Sequence, residues 1–254
     1  ALKLVEEKKI TLDDPITEYL PEFNGLQVMA REDGNVEDVE TIIQYPTIRD
    51  LFLHTAGFSY NFLADPVGKQ YDQLRLFNSD TTTLEEEIKI LAKAPLLFQP
   101  QTSWRYSVSM DVLARIVEIV RGNSLQSVLQ REIFEPLNMS DTAFTVSSEN
   151  QYKVMASYEY DPVKNKLSEL ISDPQKIGNY GYPLNISSYA RGGHGLFSTL
   201  NDYAAFARML HTGKSDDGYQ ILNADTLKLI STNFLEEKYF PIEIATIGIV
   251  KDEN

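Results

Sequence analysis

From Asp111 onward the apolar residues Val112, Leu113, Ile116, Val117 and Val120 recur at helical spacing, and Arg121-Gly122-Asn123 closes the run. A helix with this much Val, Leu and Ile on its inner positions belongs in a core, so other elements must wrap it. Upstream, Gln99-Pro100-Gln101-Thr102-Ser103 is a polar turn carrying a proline. Between turn and helix lies Trp104-Arg105-Tyr106-Ser107-Val108, which places Tyr106 on the loop that enters a buried helix.

A phenol at such a point acts as a general base only if nearby positive charge lowers its pKa from about 10, a requirement that predicts a lysine partner. Taken by itself, Tyr106 is more simply one of 14 tyrosines, packing its ring and hydrogen-bonding its hydroxyl. Context along the chain changes that weighting.

Residues 1–15, Ala1-Leu2-Lys3-Leu4-Val5-Glu6-Glu7-Lys8-Lys9-Ile10-Thr11-Leu12-Asp13-Asp14-Pro15, resemble the helix end and turn that follow the Ser-x-x-Lys nucleophile of the serine beta-lactamase-like family. That family includes class C beta-lactamases, DD-peptidases and family VIII carboxylesterases. Tyr45-Pro46-Thr47-Ile48-Arg49-Asp50-Leu51-Phe52-Leu53-His54-Thr55-Ala56-Gly57 resembles its T-I-R-x-L-L-x-H-T-S-G segment, and Ile133-Phe134-Glu135-Pro136-Leu137-Asn138-Met139 its I-F-x-P-L-G-M. Gly192-Gly193-His194-Gly195-Leu196-Phe197-Ser198-Thr199 is similar to G-G-x-G-L-x-S-T. The resemblance implies a mixed helix and antiparallel-sheet fold of the beta-lactamase/transpeptidase type, an α/β (α+β) class, with residues 1–254 forming a single domain dominated by the helical lobe. It also implies that Tyr106 holds the catalytic tyrosine position of a Tyr-x-Asn motif.

The departures carry equal weight. No Ser-x-x-Lys occurs in the chain, and by the resemblance that motif lies about three helical turns before Ala1. The family's last motif, Lys-Thr-Gly or an equivalent, is expected after residue 254, and residues 244–250 read as a strand whose partner lies beyond. The chain is therefore expected to be an internal piece of a longer protein, with the outer sheet strands mostly missing and no hydrolysis by the family mechanism on its own. The third residue of Tyr-x-Asn is Val108, which offers no hydrogen bond to an amide-bearing substrate. Residues 104–113 are instead similar to the W-x-Y-S-V-x-x-D-V-L-G stretch of family VIII esterases, which points to small carboxylic esters handled through an acyl-enzyme. A beta-lactamase or DD-peptidase, and a non-catalytic binding protein on the same fold, are the alternatives.

Candidate ligand-facing residues are Trp104, Ser107, Val108, Gly193 and His194, with Phe58, Tyr60 and Tyr180 as further pocket-lining aromatics. Gly192-Gly193-His194-Gly195 fits neither a P-loop nor a dinucleotide fingerprint, so packing explains its glycines better than a phosphate cradle. His211-Thr212-Gly213 imitates the missing last motif, but it ends a helix that Thr199 and Asp202 cap, with Tyr203, Phe206, Ala207 and Leu210 as the apolar face. Thr47 and Asp50 cap a short helix that Gly57 ends, which makes His54 a hydrogen-bonded core histidine. His54, His194 and His211 lack the short spacing of a metal site, and the chemistry requires neither metal nor cofactor.

Thr83 and Glu86 form a capping box for a helix through Ala92, and Leu125 to Phe134 reads as another. Gly25 to Gln44 shows no period and reads as a surface loop; Tyr152 to Leu170 suggests a hairpin, and Asp173 to Ser188 an irregular loop. With 43% hydrophobic residues the chain can bury a real core, while a net charge of -14 argues against nucleic acid or an anionic membrane as partner. No apolar run reaches membrane-span length, and the absence of cysteine removes disulfides and a thiol nucleophile. Oligomeric state and compartment are not encoded in these features.

Overall fold

The computed structural model describes residues 1–76, 83–155, 158–169, 190–240 and 242. The expected loop over 173–188, Tyr180 and the strand over 244–250 lie outside them.

The chain runs as α1 (Leu2–Glu6), β1 (Gln27–Met29), β2 (Val39–Thr41), α2 (Ile48–Leu53), α3 (Pro66–Gln73), α4 (Leu84–Leu91), α5 (Ser109–Arg121), α6 (Leu125–Leu129), β3 (Tyr158–Asp161), β4 (Lys166–Glu169), α7 (Leu200–Thr212) and α8 (Ala224–Ile230). The organising element is α5. Val112 and Ile116 are fully buried, Leu113, Ala114 and Val117 nearly so, and the helix packs against α2, α4 and α6. Each of its large aliphatic side chains contributes about 1.5–3 kcal/mol when taken out of water. Gly122 ends it in the left-handed region at φ 64°, as a C-cap requires.

Local chemistry starts the helices around it. Thr47 and Asp50 form a reciprocal capping box on α2, as do Thr83 and Glu86 on α4, and Thr199 accepts from the backbone of Asp202 on α7. The main core runs from Leu4 and Ile16 through Ile48, Leu51, Phe58 and Ile88 to α5, and a second cluster joins Phe134, Leu137, Met139, Met209, Ile221 and Leu222. Arg121, at the end of α5, ties Glu7 after α1 at 2.6 Å to Glu132 after α6 at 2.7 Å. That pairing, chiefly its hydrogen bond, lowers the Glu7 pKa to about 2.

Several expectations change. Gly25 to Gln44 is not all surface loop: β1 and β2 pair antiparallel with Val28 opposite Glu40, Val28 and Met29 are buried, and Leu96 hydrogen-bonds to the other edge of β1. The inward residues are too few to make a legible period. The segment expected as one helix from Leu125 is α6 followed by a π-helical turn, Gln130–Phe134. The hairpin is narrower than expected, with Asp161 opposite Lys166, and Tyr152 lies in a preceding 3-10 turn. Helix α2 ends at His54, itself left-handed at φ 58°, and not at Gly57, whose own φ of 92° serves a close approach to the Phe98 carbonyl. On α7 the expected face is largely turned outward: Tyr203, Ala207 and Leu210 are exposed, whereas Met209 is buried and Ala205 and Phe206 pack beside it.

Candidate functional site

Residues 103–107 form the irregular loop leading into α5. Its conformation is set by backbone bonds to the α2 end and the segment beyond: Arg105 N donates to His54 O at 3.0 Å, and Val108 N to Ser59 O at 3.0 Å. The Arg105 guanidinium lies 3.7 Å from part-buried Asp65, which also accepts from Ser59 Oγ at 2.7 Å. With its backbone and flanking charge fastened, the loop presents Tyr106 at the surface, 41% exposed.

The Tyr106 ring packs against two others. Tyr60 stacks on it at 5.6 Å and 18°, and the His54 imidazole lies tilted at 5.1 Å. Tyr60 stacks in turn on Phe62 at 4.4 Å, while the Trp104 indole meets His54 edge-on at 6.1 Å. His54 Nδ1 is 3.1 Å from Ser107 Oγ, which is 2.8 Å from Ser109 Oγ at the start of α5. Burial lowers the His54 pKa to about 4, so its imidazole is neutral at pH 7. His54 is thus half-buried beside Tyr106, not a histidine of the main core. Its sequence pattern marked a helix end and carried no signal for this ring contact.

The other candidates divide. Trp104 is partly exposed beside the tyrosine, whereas Ser107 is 3% exposed and Val108 fully buried. The Val108 side chain is committed to the core beneath the loop. Phe58 and Tyr60 are also buried, Phe58 packing edge-on against Phe23, so they support the site without lining it.

Gly193 and His194 lie on an exposed segment anchored to α5. Asp111 Oδ1 accepts from Gly192 N at 3.1 Å and Gly193 N at 3.2 Å. The amides that a phosphate cradle would need are already given to a carboxylate within the protein. A Cβ on Gly192 would sit 1.9 Å from the Met110 carbonyl oxygen, so only glycine allows this approach. Burial, opposed by the two glycine N–H groups and Arg191, raises the Asp111 pKa to about 6. Arg191 reaches buried Glu87 on α4 at 3.7 Å and His194 Nε2 at 3.2 Å. Since a guanidinium only donates, Nε2 accepts and the His194 proton sits on Nδ1. Partial burial of the ring, then the Arg191 charge, lower the His194 pKa to about 4. Beyond His194, Phe197 and Ala143 exchange backbone bonds at 2.8 and 3.1 Å and fasten the far end.

His211 lies exposed in the last turn of α7, and Gly213 caps that helix at φ 76°. Among the described residues no three His, Cys, Asp or Glu side chains gather as a metal site, and no helix is long and apolar enough to cross a membrane.

Esterase EstB of Burkholderia gladioli is 30% identical over 212 residues, covering 79% of this chain and 50% of its own. A putative D-alanyl-D-alanine carboxypeptidase of Escherichia coli K12 is 27% identical over 260 residues, covering 94% and 53%. The solved structure of EstCE1, a hydrolase with promiscuous acyltransferase activity, superposes with a TM-score of 0.70 at 26% identity over 90% of this chain and 58% of that one. The chain spans about half the length of these curated relatives. The family model described as Beta-lactamase matches residues 1–240, and the chain belongs to the beta-lactamase family, whose members among its relatives include esterases and a carboxypeptidase.

Proposed function

We propose that the full-length protein is a serine hydrolase that works through an acyl-enzyme on small carboxylic esters, with Tyr106 as the general base. The observation that carries this reading is the exposed Tyr106 ring, packed against Tyr60 and His54 at the entrance of the buried α5. A base must be presented to the reacting atoms in one orientation, and a ring packed against two others loses little freedom when substrate binds. The residues named here hold no Ser-x-x-Lys, so serine and lysine are assigned to the remainder of the full-length protein. The serine oxygen attacks the ester carbonyl, its proton passes to Tyr106 and the lysine, the alcohol departs, and water then cleaves the acyl-serine bond. The 254 residues alone are inactive on this reading.

Esters are favoured over amides because the third position of the tyrosine motif is a buried valine, Val108, which leaves no polar side chain there to hydrogen-bond an amide-bearing substrate. Trp104 offers a partly exposed indole for an apolar acyl or alcohol group, and His194 offers Nδ1–H as a donor on the Gly192–His194 segment. The test is Tyr106→Phe in the full-length protein, assayed on p-nitrophenyl butyrate and nitrocefin. Ester turnover should fall by about 10²- to 10⁴-fold with the fold intact. Unchanged turnover would remove Tyr106 from the mechanism, and a preference for nitrocefin would favour the beta-lactamase reading.

A further inference from the structure

We propose that Asp111 is a positioning residue whose carboxylate clamps the Gly192–His194 wall to the same helix that carries the Tyr106 loop, so that α5 sets the placement of both segments. The inference rests on Tyr106 marking the site.

Three observations converge on it. First, Asp111 is fully buried and its Oδ1 accepts both glycine amides, while Oδ2 has no hydrogen-bond partner among the described residues. A carboxylate in that setting carries a desolvation cost that a neutral core residue would avoid, and its structural return is the grip on two consecutive N–H groups. Second, the grip admits no slack. A Cβ on Gly193 would lie 2.7 Å from the Tyr60 hydroxyl and 2.9 Å from Asp111 Oδ2, so the segment packs closely against the hydroxyl end of the tyrosine whose ring stacks on Tyr106. Third, a separate helix holds the next residue: Arg191 meets Glu87 of α4, and the same guanidinium fixes the His194 ring. Asp111 thus sits three residues into α5, five beyond Tyr106, with the Gly192–His194 wall hanging from its carboxylate. A displacement of about 1 Å between the two segments is enough to cost about 10²-fold in rate.

The test compares Asp111→Ala, Asp111→Asn and Gly193→Ala with wild type in the full-length protein. The readouts are amide exchange of the peptide spanning 190–196, followed by mass spectrometry, and kcat and KM on p-nitrophenyl butyrate. Asparagine keeps an acceptor oxygen, so Asp111→Asn should stay within about 3-fold of wild type on every readout. Asp111→Ala should speed exchange by about 10- to 100-fold and lower kcat by about 10- to 100-fold, with KM moved much less. Gly193→Ala pushes the wall off from the other side and should reproduce both losses, which decides the matter should the alanine variant at 111 fail to fold. Unchanged exchange in Asp111→Ala or in Gly193→Ala overturns the clamp, as does a kcat lost equally in the asparagine and alanine variants. If wild type turns over no ester, the function proposed above fails, while the exchange data still decide the clamp.

Discussion

Helices α5 and α7 are each 13 residues long, each ends on a left-handed glycine, and each carries an aspartate three residues in. They nonetheless occupy opposite environments. Helix α5 is enclosed by α2, α4 and α6, whereas α7 buries Asp202 and Met209 and leaves Leu200, Tyr203 and Leu210 exposed. The aspartates show what the helices share: Asp111 holds Gly192 and Gly193, and Asp202 accepts from Asp141 N and Thr142 Oγ1, both at 2.9 Å. A carboxylate near a helix start favours the helix dipole and remains free to fasten a neighbouring segment. Periodicity therefore identifies a helix, and its neighbours decide which of its apolar residues are buried.

That contrast can be broken by substitution. The largest effect belongs to Ile116→Ala, which empties space under the enclosed α5 and should cost about 2–5 kcal/mol by urea denaturation. Wild-type stability there would show that α5 is not the centre of the core. The C-cap glycines should invert the ranking of the helices. A Cβ at Gly213 would meet the Leu222 carbonyl oxygen at 2.3 Å, while Gly122 has open space around it. Gly213→Ala should thus cost about 2–4 kcal/mol through overlap added to backbone strain, against about 1–2 kcal/mol for Gly122→Ala. Equal costs would mean the α7 end relaxes.

Charge gives the next contrast. The folded pKa of Asp111 is raised to about 6, so its contribution is fully present below its unfolded value and is lost as pH rises through about 6. Asp111→Asn removes that loss and should gain roughly 1–3 kcal/mol at pH 8, with little change at pH 4; no gain at pH 8 would show that its buried charge is better compensated. His54 has the opposite sign. Its folded pKa is lowered to about 4, so the unfolded chain takes up the proton first, and stability falls as pH drops from about 6.5 through 4. NMR of the His54 ring should titrate near 4, and His54→Gln should lose its part of the slope. Trp104, the single tryptophan, reports the same event through its fluorescence. The smallest effect is Leu200→Ala on the exposed face of α7, expected within about 0.5 kcal/mol of wild type; a larger loss would mean that the face is covered in the full-length protein.

Much of the architecture was legible because it is local. The capping pairs Thr47 with Asp50 and Thr83 with Glu86, the glycine ends at 122 and 213 and the Asp161 hairpin all sit within a few residues of what they control. Strands β1 and β2 escaped notice because three-residue strands leave no period to read. The two walls of the candidate site were visible as separate motifs, but nothing in either announced that Asp111 joins them across 81 and 82 residues of chain.

By itself the sequence determined the capped helix starts, the glycine stops at 122 and 213, the family likeness and the position of Tyr106 on a loop before a buried helix, since each depends on neighbouring residues or recurring motifs. Tertiary structure alone decided that His54 lies against Tyr106, that Val108 is withdrawn from the surface and that the glycine amides grip a carboxylate. Those outcomes depend on which surfaces meet once the chain has folded, and burial, ring stacking and the pKa shifts that follow are properties of the meeting and not of any residue in it.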